Sequence, residues 1–180
     1  MQRPRFRAGR WCIAAACALT AVLPHLGWAA SLSAQDLQVL GNALAFVQPR
    51  PAGEGLLAVV YDGQNSLSRQ DAEAILTVIG KSLTVSGAVF TPKLVDTDEL
   101  AATTFSLVIV AMGANSEAVA RAVSAHHALC VTADQAAVQQ GLCTMAIRTT
   151  GRVEITLNYR VAQAAGVSFG TAFRMMVREL

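Results

Sequence analysis

Apolar residues along this chain fall into two patterns: short runs, and stripes that recur every three or four positions. Leu56-Leu57-Ala58-Val59-Val60-Tyr61 and Phe105-Ser106-Leu107-Val108-Ile109-Val110-Ala111 are nearly unbroken runs. Continuous rather than alternating apolar sequence predicts strands covered on both faces, as in a parallel sheet. Leu129-Cys130-Val131-Thr132 predicts another strand, and Val89 to Val95 a further one, moved toward an edge by Pro92. The stripes predict helices. Leu37, Leu40, Leu44 and Val47 mark one over Ala34 to Val47, with Ser33 and Asp36 spaced as a capping box and Pro49 beyond its end. Ala72, Ile75, Leu76, Ile79 and Leu83 mark a second, for which Ser68 and Asp71 supply the same capping pattern. Glu117 to Ala125 is a third, with Val119, Ala122 and Val123 facing inward.

The last third changes character. Leu142 to Arg148 and Arg152 to Asn158 flank a Thr-Thr-Gly turn and predict a two-stranded hairpin. After it, Val161, Ala164 and Ala165, a break at Gly166, and then Phe169, Phe173, Met176, Val177 and Leu180 read as one helical stripe. Strands separated by helical crossovers give the fold class: α/β, a single three-layer domain, its sheet mostly parallel, with a C-terminal antiparallel hairpin and terminal helices.

The first residues change the bulk picture. Arg3, Arg5, Arg7 and Arg10 precede an apolar run from Trp11 to Leu23, and Gly27-Trp28-Ala29-Ala30 supplies small residues for processing. This is the pattern of a signal peptide over 1–29, cut after Ala29 or one residue later, leaving a domain over 31–180. An uncleaved anchor helix is the alternative. Cleavage removes four of the 14 Lys+Arg and none of the 12 Asp+Glu, so the balance becomes 10 − 12 = −2. No nucleic-acid footprint survives that change. Both tryptophans, Trp11 and Trp28, leave as well. About 150 residues remain, which suits one domain.

Cys12 and Cys17 lie in the leader, so Cys130 and Cys143 are the pair that an exported chain keeps. An even pair in an oxidising compartment points to a disulfide. Closing a loop of about 14 residues contributes roughly 3 kcal/mol in the chain-entropy picture. Two separate buried thiols are the alternative.

Residues with chemical potential gather where the strands end. In open α/β sheets, ligands collect outside the carboxyl ends of strands, beside helix N-termini. Asp62, Asn65, Ser66, Asn115, Ser116, Thr132 and Asp134 fall there and form a candidate small-solute pocket. The same residue types cap helices. Gly63 stands alone, without a phosphate-binding glycine fingerprint. His126 and His127 are adjacent, about 100° apart on a helix, and make a poor chelating pair. No nucleophile, base and orienting acid are patterned together. The expectation is therefore a protein that binds rather than reacts, with no cofactor. Phe169, Phe173 and Met176 are its candidate partner surface.

Five stretches resemble the YfiR/HmsC-like family of small exported bacterial proteins. Leu129-Cys130-Val131-Thr132-Ala133-Asp134 is similar to the family's strand ending in a Ser/Thr-Asp pair, and Gln140-Gly141-Leu142-Cys143 to its glycine and following strand. Gly151 to Asn158 resembles its strand ending in asparagine, and Ala165-Gly166-Val167-Ser168-Phe169 its helix junction. Ala43 to Pro49 is similar to its first helix, with Gln48 where members carry tryptophan. The resemblance implies a periplasmic domain that represses an inner-membrane diguanylate cyclase by binding its periplasmic sensory region. Release would raise cyclic di-GMP and promote biofilm formation. Another membrane sensor or a second copy of the chain are further candidate partners. Leu57 to Asp62 followed by Ser68 to Ile75 also resembles one lobe of an ABC-type periplasmic solute-binding protein, the alternative reading.

Overall fold

The computed structural model describes residues 31–180, so the expected signal peptide lies outside the described residues. The three apolar runs become the centre of a sheet. They form β2 (Gly53–Tyr61), β5 (Leu107–Val110) and β6 (Leu129–Thr132), and Leu57, Val59, Val60, Val108, Ile109 and Val131 have no measurable exposure. The other strands are β1 (Val47–Gln48), β3 (Leu83–Val85), β4 (Ala88–Asp96), β7 (Met145–Arg148), β8 (Glu154–Leu157), β9 (Ser168–Phe169) and β10 (Arg178–Glu179). Eight of them form one sheet in the order β10-β8-β7-β6-β5-β2-β4-β3, and β1 pairs with β9 separately. The ladders from β4 through β2, β5 and β6 to β7 are parallel. The predicted hairpin pairs β7 with β8 antiparallel, from Met145 opposite Leu157 to Arg148 opposite Glu154.

Both faces are covered, as unbroken apolar strands require. Leu57, Val59, Leu107, Ile109 and Val131 point into a core shared with α1 (Ala34–Leu44), α2 (Ser66–Ile79), α5 (Tyr159–Ala164) and α6 (Thr171–Met176). Ala58, Val60, Val108, Val110 and Cys130 point the other way, onto α3 (Glu117–Ala125) and Val138 of α4 (Gln135–Gln139). A 3-10 turn, Leu100–Ala102, closes that second core. The expected single three-layer α/β domain is the fold of the described residues. Among them, no helix is long and apolar enough to cross a membrane.

Three local expectations change. The second helix begins earlier than its capping-box pattern suggests. Asn65 caps it, while the Ser68 hydroxyl, fully buried, accepts from the Asp62 N–H at 3.0 Å. β4 is the penultimate strand, and β3 covers only its first three residues. The Thr97 N–H donates to Tyr61 on β2, so strand alternation turns the Pro92 nitrogen to the uncovered side, where no donor is needed. The C-terminal stripe is not one helix. Gly166, at φ +70°, ends α5, and the chain then alternates β9, α6 and β10.

Cys130 and Cys143 are bonded, with Cα atoms 5.2 Å apart, and both are buried. The bridge ties the middle of β6 to the loop before β7, next to α3. A buried disulfide suits an oxidising compartment.

Candidate functional site

The sheet order reverses direction between β2 and β5, which marks the carboxyl-end crevice where α/β proteins collect ligands. The expected pocket residues lie there, but most of their polar groups have a local task. Asp62 accepts from the Gln64 N–H at 2.9 Å and closes a turn. Asn65 accepts from the N–H groups of Leu67 and Ser68 at 3.1 and 3.3 Å, and Ser66 is the exposed first residue of the helix so capped. Ser116 caps α3 through the Val119 N–H, and Asp134 caps α4 through Ala136 and Ala137. Thr132 is buried, donates to the Val110 carbonyl at 3.2 Å and accepts from the Asp134 N–H at 3.1 Å. Asn115 reaches Thr132 at 3.5 Å, and its Oδ1 is a buried acceptor without a partner. Asn115, Thr132 and Asp134 thus form one seam, while Asp62, Asn65 and Ser66 form the adjoining turn. Gly113 allows the close approach between them. At φ +78°, its missing Cβ would stand 2.9 Å from the Asn65 amide nitrogen.

Asp71 sits behind this crevice with no exposure. It does not cap its helix. Its carboxylate accepts from the Ser31 N–H at 2.6 Å, the Ser31 hydroxyl at 2.7 Å and the Met112 N–H at 2.7 Å. Sequence spacing hid this role, because Ser68 and Asp71 fit a capping box that the helix does not use.

A cavity of about 310 Å³ opens at the other end of the sheet, where β2, β5 and β6 begin. Arg50, Glu54, Ser106, His126 and His127 bring polar groups to it, and Phe90 and Phe105 supply apolar wall. His126 packs on Phe105 with ring centres 4.5 Å apart. Gly55 leaves room for Ser106, whose Oγ would be 2.8 Å from a Cβ at that position.

His127 is unusual in its backbone. α3 ends in a Schellman turn: the His127 N–H donates to Ser124 and the Ala128 N–H to Val123. α4 and α5 end with the same bond pattern, through Gly141 with Leu142 and Gly166 with Val167. Both of those use glycine in the left-handed position, at φ +79° and +70°, whereas α3 places His127 there at φ 52°. A side chain in that conformation costs about 1–2 kcal/mol. Treating His126 and His127 only as a poor chelating pair gave no sign of this strain.

The third feature is an apolar groove of about 730 Å³ between α1, α2 and β3, lined by Leu37, Phe46, Val78, Ile79 and Leu83 among others. Phe46 is 40% exposed and Val78 38%. Phe46 stacks on Phe173 at 5.4 Å, and Phe173 on Phe169 at 5.2 Å, so an aromatic ladder runs from the surface into the core. This corrects the expected partner surface. Phe169 and Phe173 are 5% and 3% exposed and support the ladder from inside. Met176 is 68% exposed one turn beyond Phe173, with Met175 beside it at 78%. The outward aromatic is Phe46, which periodicity had placed within the first helix.

The resolved charge perturbations belong to exposed ion pairs. The hydrogen bond from Arg174 holds the Glu179 carboxyl below its ordinary range, and Arg148 does the same for Glu154. Among the described residues, no group of three His, Cys, Asp or Glu is placed to hold a metal ion. No protein-family model matches the chain, and no curated protein sequence matches it.

Proposed function

We propose that this chain is a non-catalytic exported regulator of the YfiR/HmsC-like kind. In this reading it binds the periplasmic sensory region of an inner-membrane diguanylate cyclase and restrains cyclic di-GMP synthesis, and with it biofilm formation. The observation that carries the reading is Phe46. It is a half-exposed aromatic at the edge of an apolar groove, backed by Phe173 and Phe169. Rigid aromatics that are partly exposed beside apolar surface are typical anchors of protein interfaces. Repression then follows from preferential binding to one state of the membrane partner. The Cys130–Cys143 bond stabilises the fold that presents the groove. The test is co-purification of the exported protein with the cyclase from membranes. Phe46→Asp should abolish capture while leaving the melting temperature close to that of the parent. Equal capture of both proteins would defeat the reading.

His127 favours a second reading, a single-lobe binder of a small solute. Strain kept at a cavity wall, where glycine serves equivalent turns elsewhere in the chain, is a mark of ligand sites. Arg50 suits a small carboxylate with an apolar body, and Glu54 and the two histidines line the same cavity. Thermal-shift screening of such acids tests it, with His127→Ala removing any response.

A further inference from the structure

Asp71 lies in the second turn of α2 and is fully buried. A carboxylate at such a depth is costly unless a cation shares the site. Its three donors are two backbone N–H groups and one hydroxyl, and Ser31 supplies two of them. Among the described residues, no Lys, Arg or His forms an ion pair with it. Ser31 directly follows the small-residue stretch Gly27-Trp28-Ala29-Ala30, at which processing is expected. Leu32, the next residue, is 1% exposed and belongs to the main core, so the chain is anchored immediately after Ser31.

We propose that the α-ammonium made when the leader is removed is the cationic partner of Asp71. Hydrolysis of the bond after Ala30, or after Ala29, adds one water. The leader leaves with the new carboxylate, and the domain keeps an amine that takes a proton at neutral pH. On Ser31 this ammonium is the very atom that lies 2.6 Å from Asp71 Oδ1. On Ala30 it is one residue away, within about 3.8 Å of chain. Maturation therefore completes a buried ion pair. That pair ties the start of the domain to α2 and, through the Met112 N–H, to the loop between β5 and α3. Asp71 is a seat for the processed terminus and not a residue of either proposed binding surface.

The experiment compares three forms of the 31–180 domain, released from a cleavable fusion. One has a free Ser31, one is Nα-acetylated, and one is extended by Gly-Ser ahead of Ser31. Each is made with Asp71 and with Asp71→Asn. With Asp71, acetylation and extension should each lower the melting temperature by about 2–4 °C. With Asp71→Asn, the three forms should melt within a degree of one another, since the cycle isolates the pair. Equal melting of the three Asp71 forms overturns the proposal, and that comparison stands even where Asp71→Asn fails to fold. Intact mass of the exported protein gives an independent check: a chain beginning at Ala30 or Ser31 supports the pair, and any other start overturns it.

Discussion

The two ends of the parallel sheet use polar residues in opposite ways. At the carboxyl ends, Asn65, Ser116 and Asp134 cap helices, and Thr132 bonds the neighbouring strand. At the amino ends, Arg50, His126 and His127 face a cavity, and His127 holds a backbone conformation that glycine would hold more easily. Capping accounts for the first set without a ligand. Stability does not account for His127, because a glycine would serve the same turn at lower cost. The difference shows that residue type and position at a strand end do not identify a site. What identifies one is polar or apolar surface that the fold itself does not use.

The largest expected effect tests what both ends depend on. Cys130→Ala with Cys143→Ala should cost about 3 kcal/mol in urea unfolding, because the bond closes a loop of this length and both sulfurs are buried. Little or no change would mean that the bridge is dispensable to the fold. Next in size is Thr132→Val, which leaves a buried carbonyl and an N–H without their hydroxyl partner. A loss of about 1–3 kcal/mol is expected, read by the same titration.

The caps separate the two ends more directly. Asn65→Ala and Asp134→Ala should each lower stability by about 1 kcal/mol and leave partner capture unchanged. A variant with normal stability and lost binding would restore the carboxyl end as a site. His127→Gly works in the opposite direction. Relief of the left-handed side chain should raise stability by about 1 kcal/mol, and a lower melting temperature would remove the strain argument.

The smallest expected effect concerns the exposed C-terminal strand. Its Glu179 carboxyl is held low by Arg174, so this contact is present above the ordinary carboxylate range. It is lost as pH falls through the depressed folded value. Backbone NMR shifts of Arg178 and Glu179 should therefore move on acidification, while those of β2 stay in place.

Much of the architecture was legible because apolar runs leave few options. A strand such as Leu57–Val60 needs cover on both faces, and helices between such strands supply it. Ser33 and Asp36 form the reciprocal capping box that their spacing predicts. The C-terminal segment was misread for a physical reason. Phe169, Phe173 and Met176 fit a helical period, but Gly166 turns the chain and Phe169 joins a strand, so the same spacing serves two elements. The sites were less legible still. Ser, Asn and Asp at a strand end satisfy a cap and a ligand equally well on paper, and only hydrogen-bond partners distinguish them. Asp71 carried no signal of burial, and Phe46 gave none of exposure.

The central claim is that the Phe46 groove holds a membrane cyclase in check. Cyclic di-GMP measured in a deletion strain, with wild-type or Phe46→Asp protein restored, tests it most directly. Deletion should raise the level, the wild-type protein should return it to the parental value, and Phe46→Asp, exported in equal amount, should not. A level unchanged by deletion under envelope and redox stress would contradict the account.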